Sequence, residues 1–283
     1  MATFYNQATL SFGGRLTNSN VTTGELLETL SATKTAVTGA YGANDNVVYA
    51  VNIVNSGATA LTGLTVTDDL GAYTVGTTTV YPLTYVDGSI KLFVNGAPVA
   101  PPTVVAGPPL AVSNITIPAG ANATILYEAR TNEFTPLALG SEITNTATVT
   151  AEGFDNIVVN ATIGAEAETS LTIAKAICPE TVTDNGEITY TFVIQNTGNT
   201  PAVATDNVTI TDTFTPILNP ITVTYNGTTW TEGVNYTYST TTGEFATIPG
   251  EITVPAATYT QDVTTGVTTV TPGVAIITVR GTV

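Results

Sequence analysis

Two sets of side chains in this sequence have the types and spacing to do chemistry. Lys34 alternates with Leu30, Ala32 and Ala36, Asp68 with Leu64, Val66 and Leu70, and Asn145 with Ile143, Ala147 and Val149. Farther along, Lys175 alternates with Leu171, Ile173 and Ile177, and Asp212 with Val208, Ile210 and Phe214. Successive side chains of a strand point to opposite faces, so each of these polar groups is expected in a core. A buried lysine is rare and needs a reason. An apolar site lowers the pKa of an amine and raises that of a carboxyl group, which leaves a neutral nucleophile beside a proton donor. The same residues also read as a buried lysine–aspartate ion pair with the asparagine hydrogen-bonded to it.

The elements that must position these groups are strands. Of 283 residues, 43% are apolar and only 10% charged, and the abundance of Thr, Val, Ile, Tyr and Gly favours strands and turns over helices. The length suggests two domains, each large enough to bury a core without staples. A formal charge of -16 with six basic residues argues against nucleic acid or an anionic membrane surface as partner, because no cluster of Lys and Arg is present to neutralise phosphates. Histidine is absent and there is one cysteine, Cys178. An internal disulfide is therefore excluded, the usual metal ligands are missing, and no metal or other cofactor is expected. Cys178 is expected to be a buried thiol near a strand end. The same shortage leaves no common nucleophile and base pair, so turnover catalysis is not expected. The adjacent Asp68 and Asp69 are read as one core and one surface residue, not as a paired acid. No apolar stretch is long enough to span a membrane, so no membrane insertion is expected. The start Met-Ala-Thr-Phe-Tyr-Asn lacks the basic region and apolar run of a secretion signal, so either a signal has been removed or export does not use one.

The chain repeats itself. Lys34 and Lys175 are 141 residues apart, and the same offset brings Val47–Gly57 onto Ile188–Gly198, each a strand ending in Asn-x-Gly. Leu64-Thr-Val-Thr-Asp68 and Val208-Thr-Ile-Thr-Asp212 follow at an offset of 144. Asn95-Gly96 and Asn226-Gly227 then mark tight hairpins beside alternating strands, among them Ser89 to Val94 and Ile221 to Tyr225. The expected fold is all-β, with two tandem Ig-like sandwiches: an N-terminal strand and connector in residues 1–24, the first sandwich in 25–164 and the second in 165–283.

The repeats differ at their ends. The first continues through Ala123–Arg130 into a closing strand, Glu142–Thr150, whereas the second reaches Val274–Arg280, the match of the penultimate strand, and stops at Gly-Thr-Val. A near copy of the closing strand stands at the other end of the chain, where Asn6-Gln-Ala-Thr-Leu-Ser-Phe12 parallels Asn145-Thr-Ala-Thr-Val-Thr-Ala151. Ala8, Leu10 and Phe12 then take the places of Ala147, Val149 and Ala151, with alternation preserved. The second sandwich is therefore expected to be incomplete and to be completed by a donor strand from another copy, giving a head-to-tail homopolymer. Burying Leu10 and Phe12 supplies roughly 3–6 kcal/mol, against an association cost of roughly 4–15 kcal/mol, so such a joint needs further contacts or a covalent lock. The alternatives are that residues 1–12 fold back onto their own second domain or form a disordered leader.

With these motifs the chain resembles the bacterial surface repeat family known as domain of unknown function eleven, in Leu171-Thr-Ile-Ala-Lys175, Ile188–Asn199, Val208-Thr-Ile-Thr-Asp212 and Ile143–Val149. That resemblance implies an Ig-like sandwich on a cell or spore surface. The order of Lys on the first strand, Asp on a middle strand and Asn on the last also resembles the isopeptide-forming domains of pilins and adhesins. It implies that Asp68 polarises the Asn145 amide for attack by Lys34, with release of ammonia, and that Lys175 and Asp212 do the same with Asn6 of a neighbouring subunit. The function expected is a structural subunit of an extracellular or spore-surface filament. The alternative is a monomeric adhesin, with Pro98 to Pro109 and Tyr225 to Tyr238 as its loops.

Overall fold

A computed structural model describes residues 2–26 and 29–283, and among these there is no α-helix, only strands and one 3-10 turn at Ala204–Asp206. Two separate hydrophobic cores form, one from side chains between Leu30 and Ile163, the other between Ile188 and Val279. Each is the filling of a β-sandwich whose strands alternate inward apolar and outward polar residues, as in Asn46–Asn55 and Ala121–Thr131.

The first sandwich is closed. One sheet runs in the order Ala97–Pro98, Lys91–Val94, Ala121–Thr131, Asn46–Asn55, Leu30–Ala36, and the other in the order Thr103–Val105, Leu110–Ile117, Leu61–Asp68, Glu142–Thr150, Ile157–Ala165, Ala40–Tyr41. The Asp68 strand thus has neighbours on both sides. Beyond the expected closing strand lies one more, Ile157–Ala165, which pairs with it in the register Asn145–Ala161.

The second sandwich repeats the first sheet except for Leu83–Tyr85, which in the first domain pairs with the end of Ala121–Thr131, in the order Leu171–Cys178, Glu187–Asn196, Gly273–Thr282, Ile221–Tyr225, Thr228–Thr229. Its other sheet has three strands only, with Thr211–Thr213 at the edge, then Glu244–Thr247 and Tyr236–Tyr238. Nothing among the described residues pairs with the outer edge of Thr211–Thr213. The consequence is visible on the opposite sheet, where every residue of Leu171–Cys178 is exposed, including Ile173 at 56%. This corrects three expectations. Lys175 is exposed and Asp212 only half-buried, because the strands that would cover them are absent from this part of the chain; Cys178, on the same uncovered strand, is exposed as well.

The N-terminal segment is a hairpin. Ala2–Asn6 pairs with Thr22–Leu26 and Thr9–Phe12 with Arg15–Asn18 around Gly13-Gly14, and the side chains of Phe4, Asn6, Ala8, Leu10 and Phe12 are exposed. It therefore covers no part of its own second core.

Both repeats use one buried amide to close a strand. Asn55 Nδ2 donates to the carbonyls of Thr59, Ile117 and Pro118 while its Oδ1 accepts from Gly57 N–H. Asn196 does the same with Thr200, Pro255 and Gly198. Asn55→Ala should destabilise the first domain by about 2–4 kcal/mol, since several buried carbonyls lose their donor; thermal unfolding of the variant measures this.

Candidate functional site

In the first sandwich the three predicted residues converge between the two sheets. Lys34 comes from the edge of one sheet, and Asp68 and Asn145 lie on neighbouring strands of the other, with Ala147 directly opposite Asp68. Lys34 Nζ donates to Asp68 Oδ2 at 2.6 Å, and the two side chains are 0% and 2% exposed. Asn145 is fully buried.

A fourth residue joins them. The Tyr127 hydroxyl donates to Asp68 Oδ2 and accepts from Asn145 Nδ2 at 3.1 Å, so it links carboxylate and amide. Sequence reasoning had missed it. The available signal was its place in the inward row Ala123, Ile125, Tyr127, Ala129, where a phenol needs a polar partner. The Asn145 carbonyl oxygen accepts from Gly71 N–H at 3.2 Å. That donor is presented by a tight turn after the Asp68 strand, in which Leu70 and Gly71 have φ of 53° and 72° and Leu70 N–H donates to Asp68 Oδ1 at 3.0 Å. A leucine is uncommon in that region, and a Cβ on residue 71 would lie 2.6 Å from the Ile143 side chain. Asp69 faces outward from the pair, accepting from Gly71 and Thr146 N–H.

Electrostatics favour a reactive amine. Burial lowers the pKa of Lys34, more than the charge of Asp68 raises it. Burial and then the nearby Asp68 charge push Tyr127 well up, so its phenol keeps its proton. Lys34 Nζ also sits 4.9 Å from the Tyr49 ring centre, whose own hydroxyl is buried without a hydrogen-bond partner. The arrangement holds an amine, a proton-accepting carboxylate, a hydroxyl between carboxylate and amide nitrogen, and a backbone donor on the amide oxygen.

The second sandwich brings together only two of its three. Lys175 Nζ hydrogen-bonds Asp212 Oδ2 beside the rings of Tyr190, Phe192 and Phe214, with side chains 40% and 18% exposed. Asn6 stays in the hairpin, where its carbonyl accepts from Thr22 Oγ1. The ladder also shows what replaces Tyr127: it pairs with Tyr49, whose counterpart Tyr190 pairs with Val279. Domain two has no phenol at this position. Of the loops considered for binding, the Tyr225 to Tyr238 region puts Trp230 into the core, stacked on Tyr225 at 5.0 Å.

No family model and no curated protein matches the chain. Among solved structures it is similar to the C-terminal fragment of a major pilin of Streptococcus agalactiae (11% identity, 52% of this chain and 58% of that one, TM-score 0.35). It is also similar to the full-length major pilin SpaD of Corynebacterium diphtheriae (13%, 58% and 41%, 0.37) and to the major pilin subunit of Bacillus cereus (12%, 94% and 70%, 0.39). The chain spans about half the length of the first two. At these identities and TM-scores the likenesses carry no functional argument.

The lowered pKa of Lys34 has a measurable sign. In an Asn145→Ala background, where no amide can be attacked, the unfolded chain holds the lysine proton up to the ordinary 10.5 while the folded chain releases it earlier. Stability should therefore rise with pH between the folded pKa and 10.5. Denaturant titrations across that range should show the rise in Asn145→Ala and its loss when Lys34→Met is added.

Proposed function

We propose that this chain is a structural subunit of a cell- or spore-surface filament, growing head to tail as the N-terminal strand of one copy pairs with the open edge of the second sandwich of the next. One observation carries this reading: the edge that Glu142–Thr150 closes in the first sandwich is open in the second, where Leu171–Cys178 is also exposed, and Asn6–Phe12 parallels that closing strand in sequence. Thr213 takes the place of Asp69, whose N–H donates to Thr146 O at 2.9 Å; in the single chain the Thr213 N–H at the free edge donates to Asp212 Oδ1 at 2.8 Å, a bond that an incoming strand exchanges for a ladder bond. Exposed Phe4, Leu10 and Phe12 on the donor leave water together with Leu171, Ile173 and Ile177 on the acceptor; full burial of an exposed side chain of this size is worth roughly 1.5–3 kcal/mol, and the part-covered acceptor residues add less.

The covalent part of the proposal begins in the first sandwich. Neutral Lys34 Nζ attacks Asn145 Cγ, a C–N bond forms, and the Cγ–Nδ2 bond breaks. The proton that Nζ loses goes to Asp68 and from there through the Tyr127 hydroxyl, which gives its proton to the departing nitrogen as it takes the one from Asp68, so that both side chains end as they began and ammonia leaves. Gly71 N–H stabilises the charge that builds on Oδ1. At the joint the set is Lys175, Asp212 and the neighbour's Asn6, without the phenol, so the bond between subunits forms more slowly than the one within.

Two measurements test these steps. Intact mass of the purified subunit should fall short of the sequence mass by one ammonia, and Tyr127→Phe should slow that loss by roughly 10²-fold; a full mass in the unaltered protein sinks the internal bond. Leu10→Asp with Phe12→Asp should leave folded monomers under the electron microscope where the unaltered chain gives fibres. Fibres from that variant would remove the donor role of this strand, and monomers from both proteins would favour a monomeric adhesin.

A further inference from the structure

The strand that closes the first sandwich does not act alone. Glu142–Thr150 turns back into Ile157–Ala165, which pairs with it along its length and lies between it and Ala40–Tyr41. The second strand brings Ala161 and Ile163 into the first core, with Ile157 and Val159 packed against it. In the second sandwich neither strand of this pair has a counterpart among the described residues, so one inserted strand would close the Asp212 edge and leave the place of the other unfilled. The N-terminal segment is already a pair, with Asn6 opposite Thr22 and Leu10 opposite Thr17.

We infer that the element exchanged between subunits is the whole hairpin, residues 2–26, docking as a unit into the second sandwich of the next copy, with Arg15–Leu26 in the place of Ile157–Ala165. This rests on the donor reading above and specifies its unit. Three observations support it. The chain leaves each hairpin in the same way, Ile157–Ala165 running on to the first strand of the second sandwich at Leu171 and Thr22–Leu26 to that of the first at Leu30. The intersubunit joint therefore repeats the connection between the two domains of one subunit.

The side-chain volumes on the inward face are also redistributed between strands. Matching Asn6 to Asn145 puts Phe4 and Leu10 where Ile143 and Val149 stand, each larger, while their hairpin partners Gly24 and Thr17 are smaller than Ile163 and Ile157; only Thr22, opposite Asn6, is larger than its counterpart Ala161. Total volume shifts toward the first strand, a kind of change that cores tolerate. Gly24 marks the exchange: the Phe4 ring already lies over it, 2.3 Å from where a Cβ would be. Finally, Thr9–Phe12 and Arg15–Asn18 are already paired with each other in the single chain while both stay exposed, so docking as a pair costs less ordering than inserting a strand stripped of its partner.

A disulfide across the hairpin separates this from insertion of one strand. Ser11 and Leu16 are directly opposite, one step from the Gly13-Gly14 turn. Two residues from a two-residue turn such pairs are of the non-hydrogen-bonded kind, with Cα atoms about 4.5 Å apart, within disulfide reach. Ser11→Cys with Leu16→Cys, in a Cys178→Ser background, ties the two strands together on the face away from Leu10 and Phe12. The oxidised protein should polymerise to the same extent and at the same rate as its reduced form. Polymer only after reduction would overturn the inference and favour a single strand peeled from its partner, while leaving the donor reading intact. If neither form polymerises although the unaltered chain does, hydrogen exchange of the native polymer decides. Amides of both Thr9–Phe12 and Arg15–Asn18 should then be protected relative to the free subunit, and protection of the first strand alone overturns it. No polymer from the unaltered chain would instead remove the donor reading itself.

Discussion

The physical constraint on which this molecule turns is the unpaired edge of Thr211–Thr213. A strand edge carries N–H and C=O groups that want partners, and a sandwich lacking strands shows its apolar filling to water. Here both liabilities fall on one side of one domain, together with Leu171, Ile173 and Ile177. The first domain solves the same problem within the chain. In the second, nothing among the described residues does so, and Asn6–Phe12 of the exposed N-terminal hairpin has the alternation of the strand that closes the first.

The lysine–aspartate pairs report on this same difference. With its sandwich closed, Lys34 is removed from water and its pKa falls; with its sandwich open, Lys175 keeps 40% of its side-chain exposure. Desolvation is what makes an amine nucleophilic here, so docking of a neighbour's hairpin would both supply Asn6 and create the environment in which Lys175 reacts. On the proposed reading, assembly and covalent locking would be coupled through water exclusion, in an order that would guard the free subunit against premature reaction.

Much of this was legible in the sequence because strand periodicity is short and strict. The inward positions of Lys34, Asp68 and Asn145 follow from alternation alone, and Asn95-Gly96 and Asn226-Gly227 have the positive φ angles that two-residue hairpins require. Alternation says which face a residue takes, not whether that face is covered, and this is why Lys175, Asp212 and Cys178 were expected to be buried. Tyr127 escaped notice because its role depends on a hydroxyl meeting two groups from other strands. The second strand of each hairpin was missed because Ile157–Ala165 and Arg15–Leu26 share little sequence, their bulk having moved to the facing strand.

The most direct test of the central claim uses two crippled subunits. One carries Leu10→Asp and Phe12→Asp and cannot donate; the other carries Thr213→Pro, which removes an edge N–H while leaving the pairing to Glu244–Thr247, and cannot accept. Light scattering should find each alone to be a monomer and the mixture to be a one-to-one dimer that grows no further. Monomers in the mixture, or chains from either variant alone, would contradict the account.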